Sequence, residues 1–168
     1  MNTFPRMHIS LYVSNIENTV KFYESFFGVS ASKVKGDYTK FIIEKPSLII
    51  SFVLNEGKVS PNFGHLGFQV ETKEELYTKM AQAKENDQVY LEELGANCCY
   101  ATQDKYWSKD PDGHMWEVYY FHEDAEFNDP RYGNESAEAC CTPTKPMVAL
   151  SDINIIGQDS CETDSECC

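Results

Sequence analysis

Three side chains able to hold a transition-metal ion stand at matching places in this sequence. His8 opens the run His8-Ile9-Ser10-Leu11-Tyr12-Val13, and His65 opens His65-Leu66-Gly67-Phe68-Gln69-Val70. Glu117 ends the run Asp110-Pro111-Asp112-Gly113-His114-Met115-Trp116-Glu117. Two imidazoles and one carboxylate, with coordination positions left open, are the donor set of non-haem Fe(II) oxygenases. A carboxylate on an aromatic-rich strand is costly unless it is paired or binds a cation. A lone histidine at a strand start is ordinarily a polar strand end, but two at one register of a repeat point to a site. His114 and His122 do not share the register and read as structural or surface residues.

The seven cysteines form a second constellation: Cys98-Cys99, Cys140-Cys141, Cys161 and Cys167-Cys168. Six of the seven stand in adjacent pairs, and the count is odd, so a disulfide framework is disfavoured. CxxC zinc-finger spacing is absent. Adjacent thiolates can grip one soft ion together. The blander reading of Cys98-Cys99 is two small, partly buried apolar residues at a strand end. Adjacent residues of a regular strand point to opposite faces, so convergence of both thiols requires the backbone to depart from strand geometry there. Gly95 and Asn97 make that departure plausible. The polar stretch Tyr100–Asp112 reads as a candidate lid, and Lys105 and Lys109 within it read as a solvated face.

These residues are positioned by a weak internal repeat. In the first unit an alternating strand (8–13) leads through a capping box, Ser14-Asn15-Ile16-Glu17, into a helix. Ile16, Val20, Tyr23 and Phe27 share one face of that helix, and Gly28 stops it. Strand-like runs follow at Val29–Lys35, Tyr38–Ile43 and Leu48–Leu54. In the second unit the strand 65–70 leads through Thr72-Lys73-Glu74-Glu75 into a helix carrying Leu76, Met80 and Ala83. Strand-like runs follow at Val89–Leu94, near Cys98–Thr102 and at His114–Phe121. The order β-α-β-β-β, met twice, predicts an α+β fold of two βαβββ modules, about 7–54 and 64–122, around one cleft. Asp-Pro-Asp-Gly is a tight turn launching a strand on which Met115, Glu117 and Tyr119 share a face.

The 168 residues carry 27 acidic against 14 basic side chains, a net charge of −13. Such a chain repels phosphate backbones and anionic membrane surfaces, so neither nucleic acid nor membrane is expected as a partner. No apolar run approaches the ~20 residues that span a bilayer, and no signal peptide opens the chain, so a cytoplasmic location is expected. Composition changes near residue 124. Nine acidic and two basic residues lie in 125–168, where aromatics nearly vanish after Tyr132. A metalloenzyme domain at 1–124 followed by a mobile, acidic, Cys-bearing tail at 125–168 is expected. The role of Cys140, Cys141, Cys161, Cys167 and Cys168 is left open.

Over about residues 7 to 122 the sequence resembles the vicinal oxygen chelate superfamily of glyoxalase I, bleomycin-resistance proteins and extradiol dioxygenases. The paired βαβββ units, the strand-opening histidines and the Asp-Pro-Asp-Gly-x-x-Trp-Glu run carry the resemblance. Within the superfamily, Gly95-Ala96-Asn97-Cys98-Cys99 with Glu117 downstream looks like the arsenic-resistance C–As lyases and the cadmium-induced proteins. The resemblance implies metal ligands at His8, His65 and Glu117 and arsenic held by Cys98 and Cys99. It implies Fe(II) as cofactor, dioxygen as co-substrate and a trivalent organoarsenical, methyl or aromatic, as substrate, and it leaves room for a homodimer. Glyoxalase I adds a second carboxylate. Aligning Ser47–Ile50 with His114–Glu117 puts Ile50 at that place (Ile49 or Ser51 with a one-residue slip), and none of these is a carboxylate. Two other functions compete: a non-catalytic thiol-based protein binding arsenite or cadmium, and another dioxygenase of the superfamily in which the cysteines are incidental.

Overall fold

The computed structural model of the protein describes residues 4–127. The chain runs β1 (Met7–Val13), α1 (Ile16–Phe27), β2 (Lys33–Lys35), β3 (Tyr38–Ile43) and β4 (Leu48–Leu54). A short 3₁₀ turn at Glu56–Lys58 leads to β5 (His65–Val70), α2 (Lys73–Glu85), β6 (Leu91–Cys98), β7 (Ala101–Lys109) and β8 (Met115–Asp124). These are two βαβββ modules with the same strand order, β1-β4-β3-β2 and β5-β8-β7-β6. In each, the first strand pairs parallel with the fourth, and the remaining neighbours are antiparallel. Among the described residues no helix is long and apolar enough to cross a membrane. The tail at 125–168, with its five cysteines, lies outside the described residues apart from 125–127.

Sequence alternation decides the faces. Ile9, Leu11 and Val13 of β1 and Leu48, Ile50 and Phe52 of β4 turn to α1, as do Leu66, Phe68 and Trp116 of the second sheet. Val70, Tyr106 and Val118 turn to Leu76, Met80 and Ala83 of α2. His8, Ser10, Ser51, His65, Lys105 and Glu117 therefore lie on the opposite, helix-free faces. The modules are joined through aromatic rings of α1. Tyr23 is fully buried and packs against Phe52, Phe41 and Trp116, while Phe26 and Phe27 reach Phe68 and Trp116. Each ring so buried stabilises the fold by roughly 1.5–3 kcal/mol.

The Asp-Pro-Asp-Gly turn clamps the modules together. Tyr23 Oη donates to Asp110 Oδ2 at 2.8 Å and accepts from Trp116 Nε1 at 2.9 Å. His114 Nδ1 lies 2.8 Å from the same Asp110 oxygen, which makes His114 a buried structural residue. Asp112 accepts the backbone N–H of Ser14 at the end of β1. Helix α2 is capped as expected, with Thr72 accepting from Glu75 N. The cap of α1 is Asn15, accepting from Asn18 N, one residue beyond the expected Ser14. Gly28 ends that helix with a left-handed φ of 67°.

Four strand expectations change. The run expected at Val29–Lys35 pairs only over Lys33–Lys35, because residues after Gly28 make local bonds instead, Ala31 N donating to Glu24. The strand expected at Val89–Leu94 runs on to Cys98, passing Gly95 through a β-bulge. The last strand begins at Met115 and runs to Asp124. The expected lid at Tyr100–Asp112 is β7, an inner strand of its sheet. Asp104 and Lys105 within it are polar and paired with α2 and β8, so hydrophobic alternation did not mark it.

Candidate metal and thiol sites

The first strands and their parallel partners carry the same arrangement in both modules. His65 pairs with Met115, and Glu117 stands two residues further along β8; His65 Nε2 is 3.4 Å from Glu117 Oε2. His8 pairs with Ile49, and Ser51 stands two residues further along β4; His8 Nε2 is 3.3 Å from Ser51 Oγ. The residue equivalent to Glu117 is thus Ser51, one position beyond the Ile50 of the sequence alignment. A carboxylate is lacking there in either register.

Glu117 is held from two sides. Lys105, fully buried on β7, places Nζ 3.0 Å from Glu117 Oε1 and 3.8 Å from Glu93 Oε2. Glu93 also accepts from Trp107 Nε1 at 2.8 Å, and the His65 ring meets Trp107 edge-on at 5.0 Å. Burial by itself raises the pKa of Glu117, but the His65 hydrogen bond and the Lys105 charge outweigh it, and the carboxyl stays below its ordinary value. Lys105 is therefore an ion-pair partner rather than a solvated side chain. Gly67 lies directly opposite Glu117, and a Cβ there would meet the Glu117 carbonyl oxygen at 2.6 Å. Only glycine permits this approach of β5 to β8.

The imidazole of His65 and the Glu117 oxygen that faces it suit a borderline divalent ion, since they are nitrogen and oxygen donors within reach of one centre. His8 is not brought to them. It lies exposed on the other sheet, and among the described residues no three His, Cys, Asp or Glu side chains are grouped to hold one metal ion.

Cys98 and Cys99 do converge. Cys98 ends β6 fully buried, and Cys99 and Tyr100 form the two-residue turn into β7 with φ of 54° and 61°. Such turns need left-handed central residues and are ordinarily built from Asn-Gly; with side chains present each costs about 1–2 kcal/mol. Ala125 N donates to the Tyr100 carbonyl at 2.7 Å and ties the turn to the end of β8. The left-handed step at Cys99 reverses the alternation, and the two sulfurs lie 3.4 Å apart. That separation is longer than the ~2.05 Å of a disulfide bond. At thiolate bond lengths of about 2.3 Å, one soft ion would bridge them at roughly 95°.

The two pairs occupy different ends of the sheet. Glu117 stands opposite Trp107, whereas Cys98 stands opposite Ala101, six residues earlier on β7. That offset is about 20 Å at ~3.3 Å per residue. Lys105 and Ser51 were not singled out as site residues by sequence; reading 101–109 as a strand would have aligned Lys105 with Trp107 and exposed its role.

Known proteins resemble the chain in fold and sequence. The trivalent organoarsenical cleaving enzyme of Bacillus sp. (strain MD1) is 38% identical over 148 residues, covering 82% of this chain and 90% of that protein. The cadmium-induced protein CadI of Mycobacterium bovis is 33% identical over 141 residues, covering 81% and 92%. The crystal structure of a glyoxalase/bleomycin resistance protein/dioxygenase from Alicyclobacillus acidocaldarius superposes with a TM-score of 0.60 at 15% identity, covering 73% of this chain and 95% of that one. Residues 7–118 match the Glyoxalase/Bleomycin resistance protein/Dioxygenase superfamily. With paired βαβββ modules and that match over most of its length, the chain belongs to the glyoxalase/bleomycin resistance protein/dioxygenase superfamily.

Proposed function

We propose that the protein is a carbon–arsenic lyase that takes a trivalent organoarsenical, uses dioxygen and releases arsenite. The observation carrying this reading is the 3.4 Å approach of the Cys98 and Cys99 sulfurs, achieved by a strained turn that regular strand geometry forbids. Relatives named for organoarsenical cleavage, at a third or more identity, support the same chemistry. The cytoplasm suits such a site, because thiols stay reduced there.

In this reading Cys98 and Cys99 chelate arsenic, and His8, His65 and Glu117 hold iron(II). Iron, when bound, supplies the activation of dioxygen. Lys105 fixes one oxygen of Glu117 and keeps the carboxylate ionised, leaving the other oxygen to the ion. Because His8 stands apart from His65 and Glu117 within one chain, a second copy supplies it, in a homodimer. Methylarsonous acid plus dioxygen contains the atoms of arsenous acid plus formaldehyde, so the reaction needs no external reductant. Because β7 is one continuous strand between the residues opposite Cys98 and Glu117, turnover with arsenic on both thiolates further requires the end of the β6–β7 hairpin to leave the sheet and fold back over Glu117.

The test is anaerobic reconstitution with Fe(II), addition of methylarsonous acid and then oxygen, with arsenic speciation followed over time. Release of arsenite dependent on both iron and oxygen supports the lyase. Stoichiometric arsenic binding without release overturns it in favour of thiol sequestration, which the separation of the two pairs would then explain.

A further inference from the structure

Building on the reading of Cys98 and Cys99 as the arsenic ligands, we propose that Asp104 is the positioning residue that presents this thiol pair, by pinning a β-bulge in each of the two strands flanking it. The face on which Cys98 falls is set by the bulge in β6. Leu91 and Glu93 pair with Trp107 and Lys105 and share the helix-free face. Unbroken alternation from there would put Asn97 and Cys99 on that face and Cys98 on the other. The register instead shifts between Glu93 and Ala96, so that Ala96 pairs with Gln103 and Cys98 with Ala101. One extra residue thus turns Cys98 to the face that carries Lys105 and Glu117.

Gly95 lies in this bulge with a left-handed φ of 63°, and its N–H donates to Asp104 Oδ1 at 2.7 Å. On the other side of β7 the register with β8 shifts as well. Thr102 pairs with Glu123 and Gln103 with Phe121, leaving His122 as the extra residue. His122 Nε2 lies 3.2 Å from Asp104 Oδ2. One carboxylate therefore takes a donor from each bulge. Lys73 Nζ at 3.0 Å and Tyr77 Oη at 3.2 Å, both from α2, complete its shell and compensate its charge in a nearly buried position. The β6 bulge precedes the turn that carries the sulfurs, and the β8 bulge lies beside the strand that leaves that turn. Loss of the carboxylate strands the Gly95 N–H and lets β6 relax to regular alternation, which moves Cys98 away from Cys99's side of the turn.

The experiment uses the full chain with Cys140, Cys141, Cys161, Cys167 and Cys168 replaced by Ser, held in a thiol-free reductant, so that arsenic reports on the turn alone. Phenylarsonous acid is titrated while the near-ultraviolet arsenic–thiolate absorption is followed, and Fe(II) affinity and tryptophan fluorescence are measured alongside. Asp104→Leu, which roughly keeps the side chain's size but offers no acceptor to Gly95 N–H, is expected to weaken arsenical binding at least about tenfold while Fe(II) affinity and fluorescence hold. Gly95→Ala keeps the carboxylate but disfavours the left-handed bulge, and the same loss is expected of it; it decides the matter should Asp104→Leu fail to fold. Binding within about twofold of the parent in whichever variant folds overturns the inference. A parent chain whose absorption band is unaffected by Cys98→Ser overturns the arsenical reading itself, a result distinct from a band that persists in Asp104→Leu.

Discussion

His65 and Glu117 stand to each other in the second module as His8 and Ser51 do in the first: a strand-opening imidazole and a side chain two residues past its parallel partner. The repeat thus builds the same position twice and equips one copy with a carboxylate and the other with a hydroxyl. Glu117→Ala is accordingly expected to lose Fe(II) or Co(II) binding, whereas Ser51→Ala keeps it. Equilibrium titration by ligand-field absorption of Co(II) measures both. Equal losses in the two variants would move the site away from β8.

The Lys105–Glu117 pair is buried, and burial makes it costly to break. Removing Lys105 takes a buried cation from two carboxylates, Glu117 and Glu93, a loss of about 3–5 kcal/mol, whereas replacing both members of a buried pair with apolar groups is often nearly neutral. In metal-free protein Lys105→Met should therefore lower the urea midpoint strongly. Lys105→Met combined with Glu117→Leu should recover much of the loss. Additive destabilisation in the double variant would show that the pair contributes little as a pair.

Asp104 sets the acid limb of stability. Burial raises its pKa, but the Gly95 N–H, Lys73 and His122 overcome this and hold it at about 2, below the ordinary 3.8. A folded-state pKa below the unfolded value contributes stability that is fully present above about 3.8 and is lost as the pH falls through about 2. Wild-type unfolding free energy, from urea curves at successive pH values, should fall across that window more steeply than that of Asp104→Asn. Parallel curves would mean that the carboxylate's partners do not survive in solution.

The doubled βαβββ order was legible because its signals are local: alternation in β1 and β5, Thr72 as a cap, Gly28 as a stop. Glu117's face followed from the alternation of β8. What stayed hidden depends on contacts distant in sequence. β7 looked like a lid because Asp104, Lys105 and Ser108 are polar, and only the partners of Asp104 on α2 and of Lys105 on β8 explain why those two are buried. The thiol convergence was conditional on a backbone irregularity that Cys99-Tyr100, lacking Asn or Gly, does not advertise. The one-residue error at Ile50 arose because an alignment by eye has no ladder to fix it.

The described site residues and the bond from Ala125 N to Tyr100 O all lie before residue 128. A chain ending after Phe127 should keep the turnover rate of the full chain at saturating methylarsonous acid, while binding fewer arsenic atoms per chain by elemental analysis. A folded truncation without turnover would assign an essential part to the cysteines beyond it.

The proposed homodimer makes the sharpest demand. If His8 of one copy completes the site of His65 and Glu117 in the other, a two-fold dimer holds two composite sites, each drawing on both chains. His8→Ala and Glu117→Ala homodimers are then both inactive. In a heterodimer of the two variants, the Glu117→Ala chain still offers His8 and the His8→Ala chain still offers His65 and Glu117, so one site is whole and the other lacks both. Random reassortment after mixing should restore about a quarter of the wild-type sites, half the dimers being mixed with one good site each. Arsenite release and Fe(II) content, measured before and after mild dissociation and mixing, should rise together to that level. Inactive mixtures from chains that demonstrably exchange would place all the donors of a site within one chain, and the two sheets of that chain would then have to close on the ion themselves.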